Sequence, residues 1–184
     1  MSDFAPDAIT RAVQGDIAAF EEIYRAHSRM VYAVALRMLG QAEDAEEVVQ
    51  DVFIAVHRAL QGFDGRSSLK TWIYRITVNM SLNALRRLKG RRREMALPEG
   101  MEFEDSRQMV QESVEREHLE DKARTLLQGL PADQRACLVL RVQEGLSYEE
   151  ISRTLGININ TVRSRLKRAR EAAVKAAGQR RAEP

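Results

Sequence analysis

The 184-residue chain is poor in the residues that most metal, redox and secreted proteins depend on: one Cys, three His, four Pro and one Trp. A lone Cys137 cannot build an intrachain disulfide framework, and it suits a reducing cytoplasm. It lies in the apolar run ACLVL, where a packed thiol is the expected state. The histidines, His27, His57 and His118, are scattered at no ligand spacing, so no metal is expected. His27 falls near an apolar face and reads as packed. There is no Gly-rich phosphate loop, no Walker motif and no nucleophile-base arrangement, so neither a cofactor nor an enzymatic activity is expected. No window approaches the roughly 18 apolar residues of a membrane span, and MSDFAPDAIT lacks the basic start and apolar core of a leader. Net charge is also small, at +2.

That small sum hides an uneven distribution. Residues 1–90 balance at 11 cations and 11 anions, residues 91–120 hold 5 against 9, and residues 121–184 hold 13 against 7. With 44% hydrophobic and 5% aromatic residues, the composition fits two small helical domains joined by an acidic segment. The basic excess centres on LSYEEISRTLGININTVRSRLKRARE, residues 146–171. Tyr148, Ile151 and Leu155 recur at helical spacing, and Gly156 follows where a helix needs a residue tolerant of positive φ. Asn160 or Thr161 can cap the next helix, whose apolar face is Val162, Leu166 and Ala169. Its other face carries Arg163, Ser164, Arg165, Lys167, Arg168 and Arg170. This is a helix-turn-helix pattern, with a second helix suited to the DNA major groove.

The first 90 residues read as three or four helices. Phe20, Ile23, Tyr24, His27, Val31, Val34, Ala35 and Met38 mark one face of a long helix ending near Gly40. From Asp44, a second helix turns Val48, Val49, Val52, Phe53, Val56 and Leu60 inward and its acids mostly outward, stopping by Gly62. Those acids, Glu43, Asp44, Glu46, Glu47 and Asp51, suit a docking surface for a basic partner better than a metal site. FDGRSSLK, residues 63–70, is a loop in which Ser67 or Ser68 can cap a third helix. That helix carries Trp72, Ile73, Ile76, Met80 and Leu85 and ends in RRLKGRRR. Phe63, Trp72 and Tyr74 lie near Lys70, Arg75, Asn79, Asn83, Arg86 and Arg87. Aromatic faces, amides and cations together suit single-stranded bases, although Trp72 also falls on the apolar face with Ile76. Asn79 and Asn83, four apart, share one helix face, where propensity alone would not select them.

Three stretches carry a resemblance: residues 15–53, 67–87 and 130–171. In that order and spacing the chain resembles the extracytoplasmic-function sigma factors, a branch of the sigma-70 family. The resemblance implies an all-α protein of two domains, residues 12–93 and 121–178, joined by a flexible acidic linker, residues 94–120, whose later half can be helical. It implies that Asp44, Glu47, Gln50 and Asp51 dock on core RNA polymerase. Ser67, Ser68, Leu69, Lys70, Asn79 and Asn83, with Arg86 and Arg87, would take the melted −10 promoter element, whose flipped base needs a snug pocket. Thr161, Arg163, Ser164, Arg165 and Lys167 would read the −35 element, with Arg168 on phosphate. The implied partners are bacterial core RNA polymerase, promoter DNA and an anti-sigma factor, which is often membrane-anchored; the chain itself would be cytoplasmic. Asn158 and Asn160 stand where the family commonly has Pro and Gly, and Asn83 stands where many members have Asp.

A reach argument accompanies this reading. Promoter elements some 17 base pairs apart lie about 58 Å apart along the duplex. Thirty linker residues extend to about 100 Å but average about 30 Å as a free coil, so a scaffold must hold the domains apart. Two alternatives lie in other classes. One is a polymerase-independent helix-turn-helix regulator with a sensor bundle, which would need neither the acidic helix nor the Asn pair. The other is a nuclease or recombinase using the 43–51 acids, which lack a ligand set.

Overall fold

The computed structural model describes residues 6–94 and 123–179, and among them there are helices and turns but no strand. The elements are α1 (Pro6–Val13), α2 (Ile17–Leu39), α3 (Ala42–Ala59), a single 3-10 turn (Leu60–Gly62) and α4 (Leu69–Glu94). After the segment between come α5 (residues 123–128), α6 (Ala132–Val142), α7 (Tyr148–Leu155) and α8 (Ile159–Gln179). The sequence reading began the first domain at residue 12 and missed α1, a two-turn helix that packs on α2. The linker, including the stretch expected to be partly helical, lies outside the described residues except at its edges.

Local chemistry sets the helix ends. The Asp16 carboxylate accepts the backbone N–H groups of Ala18 and Ala19 at 2.9 and 3.2 Å, which starts α2. Gly40 ends it with φ 88°, a left-handed conformation that other residues reach only at a cost. Ser68 starts α4, its Oγ accepting from the Thr71 N–H at 3.1 Å.

α2, α3 and α4 form the first core, around Ile23, Val31, Val34, Met38, Val48, Val52, Val56, Ile73 and Val78. Each buried aliphatic side chain contributes about 1.5–3 kcal/mol relative to exposure. The face of α4 is rotated from the expected one. Ile73, Tyr74, Thr77, Val78, Ser81 and Ala84 are buried, while Trp72, Ile76, Met80 and Leu85 are only half-buried. Two hydroxyls mislead the apolar pattern. Thr77 and Ser81 are fully buried because each donates to the carbonyl four residues back, Ile73 O and Thr77 O, both at 2.9 Å. Tyr24, expected inward, is 43% exposed at the rim, its ring 4.6 Å from that of Phe53.

α6, α7 and α8 form the second core through Ala136, Cys137, Leu140, Ile151, Val162, Leu166 and Ala169. The two halves are not separate bodies here. Their buried residues join in one apolar cluster, and α6 and α7 touch α2 and α4.

Candidate nucleic-acid and polymerase interfaces

The helix-turn-helix is built by two caps and a glycine. At the start of α7, the Ser147 hydroxyl accepts from Glu150 N–H at 3.1 Å while Glu150 Oε2 accepts from Ser147 N–H at 2.7 Å. Those bonds, led by the Ser147 backbone N–H, hold the Glu150 carboxyl below its usual range. Gly156 closes α7 at φ 64°. The cap of α8 is Asn158, not Asn160 or Thr161: its Oδ1 accepts from Asn160 N–H at 2.8 Å, so the helix starts at Ile159. An Asn where the family commonly has Pro therefore provides the cap itself.

On α8, Val162, Leu166 and Ala169 face the core, leaving Arg163, Ser164, Lys167 and Arg168 exposed on the outer surface. Arg165 is different. Its Nη2 donates to Asp133 of α6 at 2.7 Å, and its side chain is only 24% exposed. Arg163 donates to Asn160 Oδ1 at 3.0 Å, so Asn160 braces the Arg163 guanidinium rather than the helix end. Thr161, Ser164, Arg165 and Arg168 line a shallow depression against Pro131, Ala132 and Asp133, where α6 begins without a side-chain cap. Two arginines and two hydroxyls thus flank an uncapped helix start, with the Asp133 carboxylate among them.

In the first domain, Glu47 and Gln50 are exposed on α3, and Asp44 and Asp51 are partly so. Ile54, half exposed one turn beyond Asp51, adds an apolar member that the sequence reading missed. Its signal was the continued spacing 44, 47, 51, 54. Arg87 of α4 lies 3.7 Å from Glu47 and 3.8 Å from Asp51, so one expected −10 residue borders the acidic face of α3.

The loop from residue 63 to 68 exposes Ser67 and Ser68, followed by exposed Lys70. Leu69 is 4% exposed and belongs to the core, anchoring the loop instead of presenting a contact. Asn79, Asn83 and Arg86 share the exposed face of α4, where Arg86 donates to Asn83 Oδ1 at 2.8 Å. Tyr74 leaves the expected aromatic set: it is 1% exposed, and its hydroxyl donates to Glu144 of the second domain. Phe63 and Trp72 remain, ring centroids 5.3 Å apart. Trp72, Thr71, Arg75 and Ser67 line a cleft of about 410 Å³ whose other wall includes Arg153 and Thr154 of α7. Among the described residues no group of His, Cys, Asp and Glu is arranged to hold a metal, and no helix is long and apolar enough to cross a membrane.

Against known families, residues 23–92 match Sigma-70 region 2 and residues 120–172 match Sigma-70, region 4. The RNA polymerase sigma-H factor of Pseudomonas aeruginosa is 36% identical over 176 residues, covering 91% of each chain. The chain belongs to the extracytoplasmic-function sigma factors of the sigma-70 family. The ECF sigma-E factor of Escherichia coli is 36% identical over 172 residues and 89% of each chain. The ECF sigma factor SigE of Mycolicibacterium smegmatis is 38% identical, and here the chain spans 61% of the relative's length. Among solved structures, CnrH in complex with the cytosolic domain of CnrY matches with TM-score 0.67 at 25% identity, over 94% of this chain and 96% of that one. RpoE of Bartonella quintana, in complex with the anti-sigma factor NepR, matches with TM-score 0.65 at 25% identity, over 86% and 96%. The matched segments divide this sigma factor as its two cores do, with α2 to α4 in region 2 and α6 to α8 in region 4.

Proposed function

We propose that this sigma factor binds bacterial core RNA polymerase and directs it to promoters carrying two spaced elements. Its region 4 helix α8 reads duplex −35 DNA, and the loop and outer face of α4 take the melted −10 strand. The observation that carries this is the pairing, within one chain, of an exposed basic helix in a helix-turn-helix with an exposed Asn79/Asn83/Arg86 face beside a half-open aromatic cleft. Duplex and single-stranded recognition need different chemistry, and each is present.

The roles divide by geometry. Arg163 and Lys167, exposed on the helix, reach base edges. Arg168, with Thr161 and Ser164 at the uncapped start of α6, takes a backbone phosphate, and Arg165 joins when it leaves Asp133. Asp44, Glu47, Gln50, Asp51 and Ile54 form the face for polymerase, acidic with an apolar residue at its C-terminal end, which fits a basic helical partner. Ser67, Ser68, Lys70, Asn79, Asn83, Arg86 and Arg87 serve the −10 strand. An anti-sigma factor is the expected regulator, because one of the matched solved sigma factors, RpoE of Bartonella quintana, was captured with the anti-sigma factor NepR. Catalysis stays with polymerase, and the protein acts in the cytoplasm.

The test is in vitro transcription with core polymerase on a pooled promoter library, with and without this protein. Selective initiation from templates sharing two spaced elements is expected. Alanine at Asp44 and Asp51 together should abolish core binding while leaving the fold intact. Core binding that survives both substitutions would remove the acidic face from the docking site.

A further inference from the structure

The cations of α8 are held by different kinds of partner. Arg165 meets the Asp133 carboxylate at 2.7 Å and Lys167 lies 3.8 Å from Glu171, so each of these faces an anion. Arg163 has a neutral partner instead. Its Nη1 donates to Asn160 Oδ1 at 3.0 Å, and both residues are exposed. That bond forms because the cap of α8 falls elsewhere. Asn158 Oδ1 already accepts from Asn160 N–H at 2.8 Å, which leaves the Asn160 side chain free to serve another side chain.

The place of the bond gives it a consequence for DNA. α8 starts at Ile159, so Asn160 and Arg163 lie in its first two turns, the part of a recognition helix that meets base edges. A helical side chain leans back toward the N-terminus, which carries the Arg163 guanidinium over the first turn. The helix dipole disfavours a cation there, and the Asn160 carbonyl oxygen supplies the acceptor that offsets it. Because this acceptor is neutral, the positive charge remains whole for DNA. Only Nη1 is engaged, so the Nε–Nη2 edge keeps two parallel donors, the pair that matches O6 and N7 of guanine.

We infer, on the proposed reading of Arg163 as a base contact, that Asn160 is a positioning residue for −35 recognition and sharpens the preference for guanine at the base pair Arg163 meets. An arginine fixed before binding loses less side-chain freedom on the base it fits, worth about two- to tenfold in affinity. A base that does not fit requires the guanidinium to leave Asn160. The benefit therefore appears as selectivity at one position, not as general affinity for DNA.

The test is in vitro transcription by core polymerase with the full chain, on a promoter library in which every −35 position carries all four base pairs. Wild type, Asn160→Ala, Arg163→Ala and the double variant are compared. Asn160→Ala should lower the guanine preference at one position by about two- to tenfold and leave the other positions unchanged. Arg163→Ala should abolish the preference at that same position. Adding Asn160→Ala to it should change nothing further, because Asn160 acts only through Arg163. Thermal melts should show no loss for Asn160→Ala, since alanine is the better helix former and Asn160 is not the cap. A merely structural role would lower the melting temperature and weaken all templates alike. Asn160→Asp puts an anion beside the DNA backbone and in the first turn of α8, so initiation should fall on every template while the melting temperature rises. An unchanged guanine preference in Asn160→Ala would overturn the inference. So would a loss that persists in the Arg163→Ala background, since Asn160 would then touch DNA itself. If Arg163→Ala leaves every −35 preference intact, the base-reading role of Arg163 falls first and takes the inference with it.

Discussion

Asp133→Asn separates two roles for Arg165. The guanidinium of Arg165 meets Asp133 at 2.7 Å, with the two side chains 24% and 54% exposed. A pair this accessible is worth about 0.2–1 kcal/mol, so DNA can outbid it. If Arg165 joins the DNA face, the carboxylate opposes binding twice, by holding the cation and by repelling the backbone. At about 7 Å in water that repulsion is on the order of 0.6 kcal/mol, a factor of nearly three. Freeing one cation for phosphate steepens the salt dependence by about 0.9 in log–log slope, or about 3.5-fold between roughly 50 and 200 mM salt. The Asp133→Asn variant should therefore bind −35 duplex about three- to fivefold tighter at low salt, with the gain fading as salt rises. Stability should move the other way, because Asp133 is the acid in the first turn of an uncapped helix, worth about 0.3–1 kcal/mol. Anisotropy titrations at several salt concentrations, paired with thermal melts, measure both. Weaker binding at an unchanged slope would refute this reasoning, since Asp133 would then be the brace that aims Arg165.

Arg168→Ala should do the reverse, lowering the steepness of the salt dependence by about 0.9 in the same titration. Gly40→Ala should cost about 1–2 kcal/mol in denaturant melts from left-handed strain alone, with more lost from displacing Gln128. Ile151→Ala, at a position with no exposure, should cost about 2–5 kcal/mol and remove −35 binding with it. Glu150 has a depressed pKa in the fold, so its contribution is present above the ordinary value of 4.5 and lost as pH falls through the lowered one. Melting temperature should drop below pH 4.5, and Glu150→Gln should remove part of that drop. Glu144 has the opposite sign: burial raises its pKa, against weaker lowering by Lys70 and Arg37. Closure of the two domains should therefore strengthen as pH falls into the carboxylate range, read as a shrinking radius of gyration.

Elements with one strong period were legible in the sequence. Helix α3, with valines every three to four residues and acids between, falls where its pattern put it, and Gly156 ends α7 as its position implied. Errors came where a side chain satisfied itself out of sight. Thr77 and Ser81 look polar but bond their own helix, which rotated the inferred face of α4. Asn158 took the cap expected two residues later, because a side-chain carbonyl that folds back on the backbone leaves no periodic trace. Leu69 entered the −10 set through the resemblance, and Tyr74 entered the aromatic set through its sequence neighbours. Their burial depends on α4 packing against the rest of the bundle and, for Tyr74, on Glu144, seventy positions away. Asp133 as the partner of Arg165 was invisible for the same reason.

The buried Cys137 makes the protein its own reporter. Burial pushes the thiol up to about 11, so at pH 8 only about one molecule in a thousand carries the reactive thiolate there. A thiol reagent must wait for α6 to part from α8, and the labelling rate becomes a clock for that event. Loosening region 4 alone would speed the clock. Separating the two domains while region 4 stays folded would leave it unchanged, so one chemical reaction distinguishes opening from unfolding without any added probe.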